Sequence, residues 1–90
     1  MTLGTLVTKY IRNTEQVFTE IKIIPNESTS IDKGKIMEVI EAAKRYFADA
    51  KYYQEKNKFE TSLVSIVYCE GLLDALKLLG AVEFTWPARK

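Results

Sequence analysis

Apolar residues recur along this chain at helical spacing in three long stretches, separated by two polar breaks. In the first stretch Leu3, Val7, Tyr10, Val17 and Ile21 share one line of a helical wheel. Leu6, Ile11, Phe18 and Ile24 lie at its margins, and Lys9, Arg12, Glu15, Gln16 and Glu20 lie opposite. That is the 3.6-residue period of an amphipathic helix. Pro25 lacks a backbone donor and pushes Ile24 towards extended geometry, so the spacing predicts a helix over 3–23. The polar run 25–30 reads as a surface loop, with Thr29 and Asp32 spaced like a capping box for a second helix.

The second stretch predicts a helix over 31–56 that buries Ile36, Val39, Ile40, Ala43, Tyr46, Phe47, Ala50 and Tyr53. Its outer face carries Glu41, Lys44, Arg45, Lys51 and Glu55, with Glu41 and Arg45 spaced as a favourable pair. At Lys56, Asn57 and Lys58 the chain turns. Asn57 either takes a left-handed conformation to end one helix or caps the next together with Glu60. So short a turn makes the flanking helices antiparallel. Counting equal distances from Asn57 sets Tyr46 near Tyr68, Ala42 and Ala43 near Gly71, and Val39 near Ala75, where small residues would let the helices approach closely.

The third stretch predicts a helix over 59–79, stopped at Gly80. Phe59, Leu63, Ile66 and Val67 favour one side of it, and Leu72, Ala75, Leu76 and Leu79 the other, more than two neighbouring helices readily cover. After it, Val82, Phe84 and Trp86 alternate before Pro87, in a tail too short for a sheet of its own and expected to pack across the bundle. The predicted fold is all-α: one domain over 1–90, a three-helix bundle with a long antiparallel hairpin of the second and third helices and a short C-terminal tail.

Composition narrows the function more than the fold. Ninety residues, 47% of them hydrophobic and 28% charged, suit one globular domain, and a net charge of +1 argues against nucleic-acid binding driven by bulk charge. One cysteine, Cys69, allows no internal disulfide. The opening residues lack a basic leader and a sustained apolar core, and no run approaches the roughly 18 apolar residues of a membrane span. The expectation is a soluble cytoplasmic protein without a membrane segment. There is no histidine, which removes the usual general base near neutral pH and the commonest transition-metal ligand. No catalytic residue and no cofactor is assigned.

Two strings resemble a known family. Tyr46, Asp49, Ala50 and Tyr53, with Glu55 and Lys56 after them, form the first; Tyr68, Gly71, Leu73, Asp74, Ala75, Leu79 and Gly80 form the second. With Lys9, Tyr10 and the run Ile21, Lys22 and Ile23, they look like the small archaeal family catalogued as domain of unknown function three hundred and fifty-seven, over about residues 9–84. Asn57 stands where that pattern suggests glycine. The resemblance implies an archaeal source and a three-helix bundle, and brings no established activity. A weaker similarity links residues 53–62 to the inner turn of a tetratricopeptide unit, with no second copy about 34 residues away. Another links residues 43–80 to the hairpin of the higher-eukaryote-and-prokaryote nucleotide-binding domains, some of which are ribonucleases with an Arg and His motif. Without histidine that chemistry does not carry over.

Few side chains invite chemistry. Glu38 and Glu41 lie at hairpin levels near Asp74 and Glu70, a set that suggests a magnesium site of the carboxylate type. A solvated stripe, or a pair between Asp74 and Lys77, is the ordinary reading. Asp49, at the edge of the buried face beside Tyr46 and Tyr53, suits a register-setting bond to a tyrosine or Ser65 hydroxyl. Cys69 reads as a core thiol. Met37, Tyr52 and Trp86 are candidate partner contacts, and Tyr46, Asp49, Tyr53, Tyr68, Gly71, Ala75 and Gly80 are structural. The leading expectation is a non-catalytic interaction or oligomerisation module, a homodimer or a subunit bound to another protein through the third helix. The alternative is a nucleotide- or nucleic-acid-associated helical domain, using Lys44, Arg45, Lys51, Lys56 and Lys58 and dependent on magnesium through the carboxylates.

Overall fold

A computed structural model describes residues 1–25 and 30–87. Three helices, α1 (Leu3–Glu20), α2 (Lys33–Glu55) and α3 (Phe59–Leu78), run up, down and up, and α2 and α3 pack most closely. Two short strands, β1 (Lys22–Ile23) and β2 (Val82–Glu83), pair antiparallel with Lys22 opposite Glu83 and Ile23 opposite Val82. The result is a rod 44 Å long and 24 by 17 Å across. The Thr29 cap expected for α2 lies outside the described residues, and α2 starts after Asp32, whose side chain makes no capping bond.

Left-handed residues close both α2 and α3. Asn57 has φ 60°, the N–H of Lys58 donates to the Tyr53 carbonyl (2.9 Å) and that of Asn57 to Gln54 (3.0 Å). These are the paired bonds of a Schellman motif, so Asn57 ends α2 rather than capping α3. Gly80 has φ 75° and repeats the motif, with Ala81 donating to Leu76 (2.9 Å) and Gly80 to Lys77 (3.0 Å). The second motif turns the chain so that Ala81, Val82 and Phe84 enter the core.

That turn explains the first correction. The helix expected over 3–23 ends at Glu20, because Ile21 is already extended (ψ 136°) and residues 22–23 become β1. Ile24 also donates to the Ala81 carbonyl at 3.0 Å. The run from Ile21 to Ile24 is rich in β-branched residues, which fit an extended ladder once a partner strand is supplied. The tail supplies it, so it pairs with the α1 exit instead of simply lying across the helices.

The core joins Val7, Ile11 and Val17 of α1, Ile36, Ile40, Ala43 and Ala50 of α2, and Ile66, Cys69, Leu73 and Leu76 of α3. Polar groups inside it are satisfied. Thr14 donates to the Tyr10 carbonyl (2.8 Å), and Ser62 donates across the hairpin to the Ala50 carbonyl (2.7 Å). Gly4 matters for its size: a Cβ there would sit 3.2 Å from the Phe59 ring, which lies over the start of α1.

The hairpin register is as expected at Tyr46 and Tyr68, whose ring centroids are 4.4 Å apart. Gly71 and Ala75 are a second correction. Both are exposed, and a Cβ on Gly71 would meet nothing within 4 Å. Equal distance from the turn sets the level along the axis but not the rotation about it. Ser62, Ile66, Cys69, Leu73 and Leu76 form the buried line instead, at the four- and three-residue spacing of a helix seam. Asp49, placed by its spacing at the edge of the buried face, is exposed as well.

Gly80→Ala is expected to cost about 1 kcal/mol and to lower Tm by roughly 5 °C, because alanine resists a left-handed turn. Asn57→Gly should leave stability unchanged or higher. Thermal unfolding checks both, and an unaltered Gly80→Ala variant would show that this turn does not set the end of α3.

Candidate functional site

The four carboxylates considered for a metal are not brought together. Glu38 pairs with Lys35 at 3.4 Å and Glu41 with Lys44 at 3.6 Å rather than with Arg45, all on the solvent side of α2. Such exposed pairs contribute little to stability. Glu70 is buried, and Asp74 accepts the Trp86 indole N–H at 2.7 Å. Among the described residues, no group of three or more Asp, Glu, Cys or His is arranged to hold a metal ion.

Trp86, a candidate partner contact, is therefore engaged within its own chain. Its ring meets that of Phe84 edge-on at 5.3 Å, and Lys77 Nζ lies 4.9 Å from the Phe84 centroid. The bond between Trp86 and Asp74 joins residues that no local pattern connects. Met37 and Tyr52 are both exposed, but fifteen residues of helix set them about 22 Å apart. Met37 borders a shallow groove of about 360 Å³ with Glu38, Glu41 and Arg45, and Tyr52 lies beside Tyr53 and Lys56. They do not form one patch.

The apolar surface of the molecule is gathered elsewhere. Val64 (69% exposed), Val67, Tyr68, Leu78 (88% exposed) and Leu79 all lie on α3 or at its C-terminal end. Val64, Tyr68, Gly71, Ala75 and Leu78 succeed one another at spacings of four, three, four and three residues, which aligns them as a single stripe. An open groove of about 390 Å³ between Leu63, Val64, Val67 and Tyr68 forms its upstream end. From Thr61 to Leu79 the charged residues are Glu70, Asp74 and Lys77. Glu70 is buried, Asp74 bonds to Trp86 and Lys77 leans over Phe84, so each turns away from the stripe. The spacing of this stripe is visible in the sequence; its exposure is not.

A second concave surface, about 930 Å³, surrounds the start of α1 and includes Thr5, Thr8, Lys9, Arg12, Gln54 and Asn57. Gln54 there donates to the Thr8 hydroxyl at 2.9 Å, a link between α1 and α2. It is wide open to solvent.

A family model described as "Protein of unknown function (DUF357)" matches residues 9–82. The chain belongs to this family. The match runs from the middle of α1 through the hairpin into β2, so it takes in the exposed stripe of α3 as well as the core. No match is found among curated proteins or among solved structures.

In this DUF357 protein the single thiol is enclosed. Cys69 is fully buried, and burial, then the nearby charge of Glu70, pushes its pKa up to about 12. A thiol so far above neutral pH is protonated and unreactive. Native protein at pH 7–8 is expected to resist a maleimide or aromatic disulfide reagent and to react stoichiometrically once unfolded in denaturant. Fast native labelling would contradict the enclosed setting.

Proposed function

We propose that this DUF357 protein is a non-catalytic helical interaction module whose docking surface is the outer face of α3. The observation that carries the reading is the charge-free exposed stripe of Val64, Tyr68, Gly71, Ala75 and Leu78, flanked by Val67 and Leu79. Solvent-facing helix surfaces are ordinarily polar, and the outer face of α2 is. A contiguous apolar face on a small domain marks a place where another surface sits. The role proposed is cytoplasmic and needs no cofactor.

A nucleotide- or nucleic-acid-associated role would draw on Lys44, Arg45, Lys51, Lys56 and Lys58. Glu41, Glu55 and Glu60 interleave with them, and among the described residues no three carboxylates are arranged to hold a magnesium ion. That reading predicts salt-sensitive binding to RNA or nucleotides, which the interaction reading does not.

The test compares wild type with a Val64→Lys, Leu78→Lys double variant, each tagged and fractionated by size in extract of the native host. Wild type should migrate well above its 10.3 kDa chain mass. The variant should keep the helical circular dichroism of wild type, since both side chains are exposed, and migrate as a monomer. Wild type migrating as a free monomer would overturn the proposal.

A further inference from the structure

We propose that the occupant of this face is a second copy of the same chain, docked antiparallel about a two-fold axis that passes beside Gly71. The inference rests on the interaction reading above and adds the identity and geometry of the partner.

Gly71 is the observation that needs an explanation. Glycine inside a helix is unfavourable relative to alanine, because it surrenders more backbone freedom on folding. Here it is mid-helix, its backbone is ordinary, and a Cβ would touch nothing within the chain. What the missing side chain permits is close approach from outside, by another backbone. The stripe is also complementary to itself. Reversed about Gly71, Val64 of one copy falls opposite Leu78 of the other, and Tyr68 falls beside Ala75. Large side chains thus meet small ones near the axis, and two medium apolar residues meet at each end. This is the self-matching that a two-fold interface requires, since both copies present the same patch. A parallel pairing would instead set Tyr68 against Tyr68 and leave the glycines with no bulky residue to receive.

The surface is prepared for that contact. Tyr68 packs against Tyr46 of its own chain, ring centroids 4.4 Å apart, which restrains the ring and reduces the side-chain freedom lost on docking. Glu70, Asp74 and Lys77 turn away from the stripe, so no like charges meet when it is doubled on itself, and a net charge of +1 per chain opposes association very little. Covering Val64, Val67, Tyr68, Leu78 and Leu79 in both copies removes on the order of 1,000 Å² from water, at the lower edge of specific interfaces.

Purified protein at about 100 µM, where an interface of this size should be populated, is expected to show twice the 10.3 kDa chain mass by light scattering. Single cysteines then read the geometry under mild oxidation, with enclosed Cys69 as a silent internal control. Gly71→Cys should cross-link to itself. Val64→Cys and Leu78→Cys should cross-link to each other when mixed, and neither to itself. Gly71→Leu should weaken dimerisation at least tenfold while leaving the monomer folded, because Gly71 is exposed and a Cβ there meets nothing in its own chain. A monomeric mass for purified protein would overturn the inference. If the extract species were still large and sensitive to the α3 lysines, the interaction reading would survive with a different partner. Self-cross-linking of Val64→Cys, or a dimer indifferent to Gly71→Leu, would overturn the antiparallel arrangement.

Discussion

The left-handed turn at Asn57 is the constraint that orders the whole molecule. Only Lys56, Asn57 and Lys58 join α2 to α3, so the helices leave the turn side by side and must match level for level. The Schellman bonds from Asn57 and Lys58 satisfy carbonyls at the end of α2 without lengthening the connection. Once that geometry is set, Ser62 reaches the Ala50 carbonyl and Tyr46 packs against Tyr68. The hairpin then presents one broad apolar trough, into which Val7, Ile11 and Val17 of α1 pack.

A two-helix trough covered by one more helix leaves α3 with more apolar surface than it can hide. The chain handles this unevenly. At the downstream end, Gly80 reverses the backbone and the tail brings Val82 and Phe84 into the core, with Trp86 bonding to Asp74. The same tail pairs β2 with β1 and so fastens the exit of α1. Among the described residues, nothing comparable covers the outer line from Val64 to Leu78. The charged residues nearest to that line are drawn inward or onto the tail, which leaves it smooth and uncharged. Coverage of the inner face and bareness of the outer one therefore have a common origin in where the tail goes.

This division bears on function. Among the described residues no three acidic or thiol side chains are arranged to hold a metal ion, and the Cys69 thiol lies in the core. The interaction proposal rests on a surface, the exposed apolar line from Val64 to Leu78, with Tyr68, Gly71 and Ala75 along its middle. Covering such a face, as proposed, would add stability to a small domain with a modest core.

Much of this is legible in the sequence, and the reasons are local. Apolar periodicity marks the three helices, Asn57 and Gly80 mark the ends of two of them, and equal counting from the turn brings Tyr46 to Tyr68. Cys69, alone in an apolar stretch, is recognisable as a core thiol, and the absence of histidine narrows the chemistry before any geometry is known. Rotation of α3 about its own axis is not legible. An almost uniformly apolar helix has no polar face to mark its outside, so spacing alone points Gly71 and Ala75 inward although they face out. Nor is the end of α1, because the stretch from Ile21 to Ile24 reads as helix or strand until a partner strand arrives from about sixty residues away. The chain by itself determined the elements and the turns, through backbone preference and spacing. Tertiary structure alone decided which face of α3 stays bare and where the tail docks, because those depend on which surfaces meet.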